Sequence, residues 1–310
     1  TERFKKTVIQ TLHHEILGHI RDVLRWGYKP AKQETGADAS PAEVGERGKP
    51  IVGVHEHRRF VKALYRVSRA GLEALREPVH FVTTNYDTLI EDALSLERIP
   101  YDDGFTGGAV AFWSEENFRA APQVQGSKAI LTKLHGSIDW YRSGAENGLV
   151  YRVRHDELYP DRDITSGNVV IYPQATKYSA SREDPFGCLF QHFRTLLEPQ
   201  RRQVLLICGY SFGDDHINAD IENQILKAQS GTTVVAFSKE TTSGVHPVLK
   251  GWCNSSAGQR VFVATEKGLY RGNSPVSFPA PNGERDWWTF GGVARLLEEG
   301  LPTDILESIE

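Results

Sequence analysis

Polar side chains that can do chemistry follow a short apolar run in the segment FVTTNYD (81–87). Asn85 and Asp87 can hydrogen-bond to a ligand or orient a water molecule, and an aspartate also favours positive charge that develops beside it. Such residues also cap the helix after a strand, because their oxygens accept its free backbone N–H groups. On this segment alone, capping by Asp87 or Thr88 and ligand binding are equally good interpretations.

A histidine occupies the same kind of position in the segment LTKLHGSIDW (131–140). His135 follows an apolar run that ends at Leu134, and Gly136 allows backbone or a ligand to approach closely. A single histidine is more often structural than catalytic. Its position at the end of a strand and beside glycine nevertheless favours His135 as a general base.

The third segment, LLICGYSFGDDHIN (205–218), again runs from apolar residues into polar ones. Gly209 and Ser211 suit the phosphate or ribose of a nucleotide. The run DDH at 214–216 offers metal ligands, which would make the protein a metal-dependent hydrolase. The same run also forms a turn and an N-cap for the helix that follows, and the metal alternative is the weaker of the two.

Parallel strands would position these three segments. Apolar runs of strand length lie between helical or loop-rich stretches at 79–84, 129–134, 169–172, 203–208, 232–237 and 260–264. The alternation predicts an α/β fold, Rossmann-like and doubly wound, with a largely parallel sheet and helical insertions. Ligands bind beyond the carboxyl ends of the strands in such sheets, so the residues after each strand matter most. We expect HGSIDW to begin one of these loops.

Apolar stripes at helical spacing predict amphipathic helices over 2–26, 58–76 and 293–299. We predict one domain over 1–300 and a polar tail over 301–310. Within the domain we predict a helical N-terminal part (1–77) and an α/β core (78–270).

The composition excludes several classes of function. The 310 residues carry a net charge of −4 and are 39% hydrophobic, which allows a large core but no dedicated nucleic-acid surface. Three scattered cysteines are too few for a disulfide framework or a four-cysteine zinc site. Without a run of 18 apolar residues or a signal peptide, the sequence predicts a cytoplasmic protein with no membrane contact.

The motifs TTNYD, KLHGSIDW and GYSFGDD occur in an order that resembles the sirtuin-like domains of bacterial antiphage defence systems, over roughly 79–240. The resemblance implies that NAD+ is bound as the substrate. It implies catalytic roles for Asn85, Asp87 and His135, with the first two lining the nicotinamide–ribose pocket. It also implies NAD+-binding roles for four further residues, namely Thr84, Gly209, Ser211 and Ser238.

The sequence departs from that family in two respects. The glycine-rich GAGxS element is absent from the sequence and is expected upstream of Thr1, and the chain contains no methionine. The paired CxxC zinc module of deacetylating sirtuins is also absent. No zinc is therefore expected, and the resemblance favours NAD+ hydrolysis over protein deacylation.

The function implied is that of an NAD+ hydrolase (NADase), which releases nicotinamide and ADP-ribose and acts in antiphage defence by NAD+ depletion. We expect a homo-oligomer, or a partner in trans such as a HerA-type ATPase or a short Argonaute. Helix 2–26 and the aromatic stretch 287–290 are candidate contact surfaces, although packing on the core is the simpler explanation for each. Two alternatives stay open: a non-catalytic scaffold or sensor that binds NAD+ or ADP-ribose, and a zinc-free NAD-dependent protein deacylase.

Overall fold

The computed structural model describes residues 12, 15, 16, 18–31, 41–68, 77–120, 128–143, 149–154, 168–170, 185–198, 202–227, 229–272, 274 and 285–300. The chain divides into two compact units. Unit 1 comprises Thr1–His55 and Glu77–Leu189, and unit 2 comprises Glu56–Arg76 and Phe190–Glu310. Each unit has its own β-structure.

The strands of the described residues are β1 (Tyr28–Lys29), β2 (Glu43–Val44), β3 (Val79–Thr83), β4 (Tyr101–Asp102), β5 (Phe105–Gly107), β6 (Val110–Trp113), β7 (Ala129–Lys133), β8 (Gly136–Arg142), β9 (Val150–Val153), β10 (Asn168–Val170), β11 (Val204–Cys208), β12 (Thr233–Phe237), β13 (Val261–Thr265) and β14 (Gly268–Arg271). The helices are α1 (18–26), α2 (His55–Lys62), α3 (Leu89–Leu96), α4 (Glu115–Ala120), α5 (Phe186–Leu196), α6 (Asp215–Ile225), α7 (Pro247–Asn254) and α8 (Phe290–Glu299). A π-helix, Ala63–Ser68, continues α2.

Unit 1 contains a short parallel sheet in the order β3-β7-β4. All residues of the central strand β7 are buried, as its largely apolar sequence predicts. Thr83 lies opposite Lys133, so β3 and β7 end at the same level. The strands predicted from the apolar runs 79–84 and 129–134 are confirmed.

Unit 1 also contains an antiparallel sheet in the order β10-β8-β9-β6-β5, which the sequence did not predict. The expectation that HGSIDW begins a loop is wrong, because β8 starts at Gly136 after a turn of two residues. The apolar side chains explain the difference. Ile138 and Trp140 are buried, and the ring centroids of Trp140 and Phe105 are 5.0 Å apart. Strands β5, β6 and β9 are too short for their periodicity to reveal them.

Unit 2 contains a four-stranded sheet in the order β11-β12-β13-β14. Strands β11, β12 and β13 are parallel, and β14 returns antiparallel to β13. Val234, Ala236, Val261 and Val263 are completely buried in this unit. Parallel strands that alternate with helices confirm the predicted Rossmann-like α/β class.

The predicted helix over 293–299 is present as α8, which packs on the π-helix that continues α2. The ring centroids of Phe290 and Phe60 are 5.0 Å apart, and Trp287 is buried. This packing favours the interpretation that the aromatic stretch 287–290 packs on the core and is not a contact surface for a partner.

Several predictions fall partly or wholly on residues that the structure leaves undescribed. The helix predicted over 58–76 begins earlier, at His55, and is described as far as Ser68. Residues 2–11 and the tail 301–310 lie outside the described residues. Among the helices that are described, none combines the length and apolar character needed to cross a membrane.

Candidate functional site

The carboxyl ends of β3 and β7 bring two of the predicted polar segments side by side. Residues 84–88 follow β3 and are called the polar loop. Residues 134–135 connect β7 to β8 and are called the histidine turn. Unit 1 therefore places four of the predicted site residues at one edge of its parallel sheet, namely Thr84, Asn85, Asp87 and His135.

Hydrogen bonds join the histidine turn to the end of β3 and the polar loop to the start of β8. The backbone N–H of Leu134 donates to the carbonyl of Thr83 at 2.9 Å. The carbonyl of Tyr86 accepts from the backbone N–H of Ile138 at 2.9 Å and from Ser137 Oγ at 3.2 Å. Since each segment is bonded to the strand that adjoins the other, the two segments are held in one relative position.

Asn85 is the exposed residue of the polar loop. Its backbone N–H donates to Thr83 Oγ1 at 3.0 Å, which holds the chain where it leaves β3. Thr84 beside it is half-buried. An exposed amide side chain on an anchored backbone can donate to and accept from a ligand or a water molecule.

Asp87 takes part in capping α3. Its Oδ1 accepts from the backbone N–H of Leu89 at 3.0 Å. Thr88 occupies the N-cap position, but its hydroxyl donates to Asp92 Oδ2 at 3.0 Å and accepts no N–H of the helix. The side-chain capping that the sequence assigned to Asp87 or Thr88 therefore comes from Asp87, whose carboxylate is anchored by the helix start.

His135 is buried in the histidine turn, with 8% of its surface exposed. Its ring centroid lies 6.3 Å from that of Tyr86 in the polar loop. Gly136 has a φ of +85°, a conformation that glycine adopts without a steric penalty. That conformation lets the chain pass from β7 into β8 within two residues, which places the imidazole at the strand end.

A buried ion pair lies between β7 and α3, and the sequence analysis missed it. Lys133 Nζ lies 3.0 Å from Glu91 Oε1, and the two side chains are 1% and 4% exposed. Lys133 Nζ also donates to the backbone carbonyl of Asp87. Burial raises the pKa of Glu91, and the charge of Lys133 opposes that rise. The available signal was a lysine that ends an otherwise apolar strand, AILTK.

Two further ion pairs, each with a buried carboxylate and a partly exposed arginine, involve the antiparallel sheet of unit 1. Arg154 Nη1 lies 3.0 Å from Asp139 Oδ2, and Arg152 pairs with Asp103. Burial raises the pKa of Asp103, and Arg152 opposes that rise. Each buried carboxylate of this group thus has a basic partner, as burial of charge requires.

In unit 2, the carboxyl ends of the neighbouring strands β11 and β12 carry the other predicted site residues. Gly209 has a φ of +64°, and a Cβ added there would meet no atom within 4 Å. Gly209 and Ser211 are exposed. Ser238 follows β12, and its hydroxyl donates to the carbonyl of Lys239 at 3.2 Å. The space at Gly209 allows a ligand to approach the backbone closely.

The loop after β11 is held by the helix that follows it. Phe212 has a φ of +55°, which is unusual for a residue other than glycine. Asn218 Nδ2 donates to the carbonyl of Phe212 at 2.8 Å, and the hydroxyl of Tyr210 donates to Asn218 Oδ1 at 3.1 Å. The ring of Phe212 stacks on His246 with centroids 5.1 Å apart. These contacts explain how the loop keeps a strained conformation.

Asp214 is the N-cap of α6, as the capping interpretation predicted. Its side chain accepts from the backbone N–H of His216 at 3.2 Å and from that of Ile217 at 3.5 Å. Within the part of the chain that the structure describes, no group of three or more His, Cys, Asp and Glu side chains is arranged to hold a metal ion. The run at 214–216 therefore serves the helix start.

Glu240 lies just after β12, and no sequence pattern had singled it out. Its side chain is 3% exposed. Its carboxylate accepts from Tyr270 at 2.7 Å, Thr265 at 3.1 Å and Lys267 at 2.6 Å. Burial alone would raise the pKa of Glu240, but these hydrogen bonds outweigh it and lower the pKa. Burial and the neighbouring carboxylate raise the pKa of Tyr270 to about 12.

The parallel strands place the protein in the α/β class, in which ligands generally bind beyond the carboxyl ends of the strands. The family model described as SIR2-like domain matches residues 79–252, more than half of the chain, so the protein belongs to the SIR2-like domain family. The matched region includes all of the predicted site residues. The family is one of NAD-dependent enzymes, which makes NAD-related chemistry the functional class. No curated protein matches the chain.

Proposed function

We propose that the protein is an NADase that cleaves the bond between nicotinamide and ribose. The reaction consumes NAD+ and water and yields nicotinamide, ADP-ribose and a proton. Hydrogen bonds from the histidine turn to Thr83 and from the start of β8 to Tyr86 carry this proposal, because they hold the segments of Asn85 and His135 at one edge of the sheet. Membership of the SIR2-like family supports NAD+ as the substrate.

The residues at this edge suit the charge changes of the reaction. Positive charge develops on a sugar ring when a bond at its anomeric carbon breaks. The carboxylate of Asp87 favours that charge, and the exposed amide of Asn85 orients water or the ribose hydroxyls. His135 accepts the proton that the water or a ribose hydroxyl gives up.

We propose that three further residues contact the adenosine side of NAD+, namely Gly209, Ser211 and Ser238. The open space at Gly209 admits a ligand close to the backbone, and the exposed Ser211 offers a hydroxyl. Ser238 offers a second hydroxyl after the neighbouring strand. Thr84 adds a hydroxyl next to Asn85 in the polar loop. These groups bind and orient the substrate and take no part in bond cleavage.

We propose antiphage defence by NAD+ depletion as the setting. Unregulated loss of NAD+ is toxic, so the activity requires gating by a homo-oligomer or by a partner such as a HerA-type ATPase or a short Argonaute. Leu12, Ile16 and Ile20 are exposed at helical spacing, which supports a contact surface in the N-terminal helix.

The test is incubation of the purified protein with NAD+, with nicotinamide and ADP-ribose measured by chromatography. We expect turnover by the wild type and a loss of about 100-fold or more in Asn85→Ala and in His135→Ala. The exposed residues Asn117 and His55 lie outside the site, so Asn117→Ala and His55→Ala are matched controls that keep full activity. Wild-type turnover in both site variants would refute the assignment.

Two other results would replace the proposed reaction. Binding of NAD+ or ADP-ribose without nicotinamide release, with and without candidate partners, would identify a sensor or scaffold. Nicotinamide release that requires an acylated peptide would identify a deacylase. Isothermal titration and an acyl-lysine peptide added to the same assay separate these outcomes.

A further inference from the structure

We propose that Lys133 is a positioning residue that holds the polar loop in register with His135 by binding the carbonyl of Asp87. Glu91 keeps the lysine charge paired while it does so. The kinetic part of this inference rests on the proposed NADase function. The geometric part rests on the contacts of one buried side chain.

Lys133 connects the end of one strand to the far end of the neighbouring loop. It is the last residue of β7 and stands two residues before His135. Its register partner is Thr83, yet its side chain reaches the carbonyl of Asp87, four residues further along the chain. Backbone hydrogen bonds hold the nearer part of the polar loop, and the lysine holds the part that leads into α3.

The carbonyl of Asp87 lies just outside the hydrogen-bond ladder of α3. That ladder begins at Thr88, whose carbonyl accepts from the backbone N–H of Asp92 at 2.9 Å. A carbonyl that precedes the N-cap obtains no donor from the helix and needs one from elsewhere when it is shielded from water. Lys133 supplies that donor, so its removal leaves the position of Asp87 poorly determined.

The stability of the fold does not by itself explain why an ion pair such as Lys133 and Glu91 is buried. Removing two charges from water costs free energy that their attraction offsets only in part, and apolar residues of similar volume are often as stabilising. Lys133 and Glu91 are nevertheless buried almost completely. A lysine is able to reach and bind a carbonyl, which an apolar side chain cannot do, and this favours a geometric role.

The test separates the bond to Asp87 from the ion pair itself. Lys133→Met combined with Glu91→Gln removes that bond without leaving an unpaired buried charge. Arg152→Met with Asp103→Asn is the matched control, because it removes another buried pair while an amide oxygen can still accept from Phe105 N.

We expect kcat for nicotinamide release to fall about 100-fold in the Lys133→Met/Glu91→Gln variant, with KM close to the wild-type value. The Arg152/Asp103 control should keep kcat near that of the wild type. All assays are run below the unfolding transition of each variant. A kcat loss in the control as large as that in the Lys133 variant would overturn the inference, because any lost buried pair would then suffice.

Hydrogen–deuterium exchange without NAD+ gives a readout that does not depend on activity. The peptide that covers 84–90 should exchange faster in the Lys133→Met/Glu91→Gln variant and at the wild-type rate in the control. Absence of nicotinamide release by the wild type would refute the proposed function, and the exchange data would still decide the geometric role. Unchanged exchange in the Lys133 variant, or unchanged kcat in an otherwise active enzyme, would overturn the inference.

Discussion

In both units polar residues follow the carboxyl ends of parallel strands, but different contacts fix these residues in the two units. In unit 1 the polar loop and the histidine turn follow different strands. The turn bonds to Thr83 at the end of β3, and Tyr86 of the loop bonds to the start of β8. In unit 2 the loop after β11 bonds to its own following helix, through Asn218 and the N-cap Asp214. Unit 1 thus relates two segments to each other, while unit 2 secures a single segment.

The two units also differ in how far the partners of their charged pairs are buried. In unit 1 the ion pair of Lys133 and Glu91 is almost fully buried. In unit 2 Glu240 is buried, but its partner Lys267 is 60% exposed. Catalysis needs reacting groups held within narrow limits, whereas a binding region needs open backbone and hydroxyl groups. The strand ends of unit 1 have the first property, and those of unit 2 have the second.

The largest effect that we predict is that of Lys133→Met alone. The change leaves Glu91 buried without a countercharge, which should lower the free energy of unfolding by about 3–5 kcal/mol. Burial already raises the pKa of Glu91, and loss of Lys133 raises it further. Protonation then relieves the unpaired charge, so the loss should shrink as the pH falls.

Urea denaturation at several pH values measures this loss, and addition of Glu91→Gln should restore most of the stability. A loss at neutral pH no larger than that of an exposed ion pair, about 0–1 kcal/mol, would remove the contrast between the two units.

The sequence could predict the strand ends because the signals are local. Asn85 comes two threonines after the apolar pair Phe81-Val82, His135 directly follows Leu134, and Gly136 marks the turn beside the histidine. The partner of Lys133 depends on how a strand packs against a helix about forty residues earlier in the chain, which no local pattern encodes. Strand β8 could not be predicted for the same reason, because HGSIDW is buried by pairing with short strands that are distant in the sequence.

An intermediate effect is expected for Asn218→Ala in unit 2. The change removes the donor to the carbonyl of Phe212 and the acceptor of the Tyr210 hydroxyl, which should cost about 1–3 kcal/mol. A loosened loop should weaken NAD+ binding and raise KM while kcat changes little. The exposed Asn254 at the end of α7 provides the control Asn254→Ala. A fall in kcat larger than the rise in KM would show that this loop also positions reacting groups.

The smallest predicted effect is that of Glu240→Gln on the free energy of unfolding. Its pH dependence can be compared directly with that of a carboxylate variant in unit 1. Lys267, Tyr270 and Thr265 lower the pKa of Glu240, so its ionised form stabilises the native state at neutral pH. That stabilisation is present above the ordinary pKa of a glutamate and is lost as the pH falls through the lowered pKa. Glutamine does not titrate, so we expect a deficit of about 1 kcal/mol at pH 7 that disappears in acid.

The change Glu91→Gln in unit 1 provides the opposite case for this measurement. Burial raises the pKa of Glu91, so the wild type loses stability as the pH rises through that pKa. Relative to the wild type, Glu91→Gln should therefore become more stable with rising pH, while Glu240→Gln becomes less stable. Denaturation curves for both variants between acid and neutral pH measure the two slopes. Slopes of the same sign would mean that the two carboxylates are held by the same kind of environment.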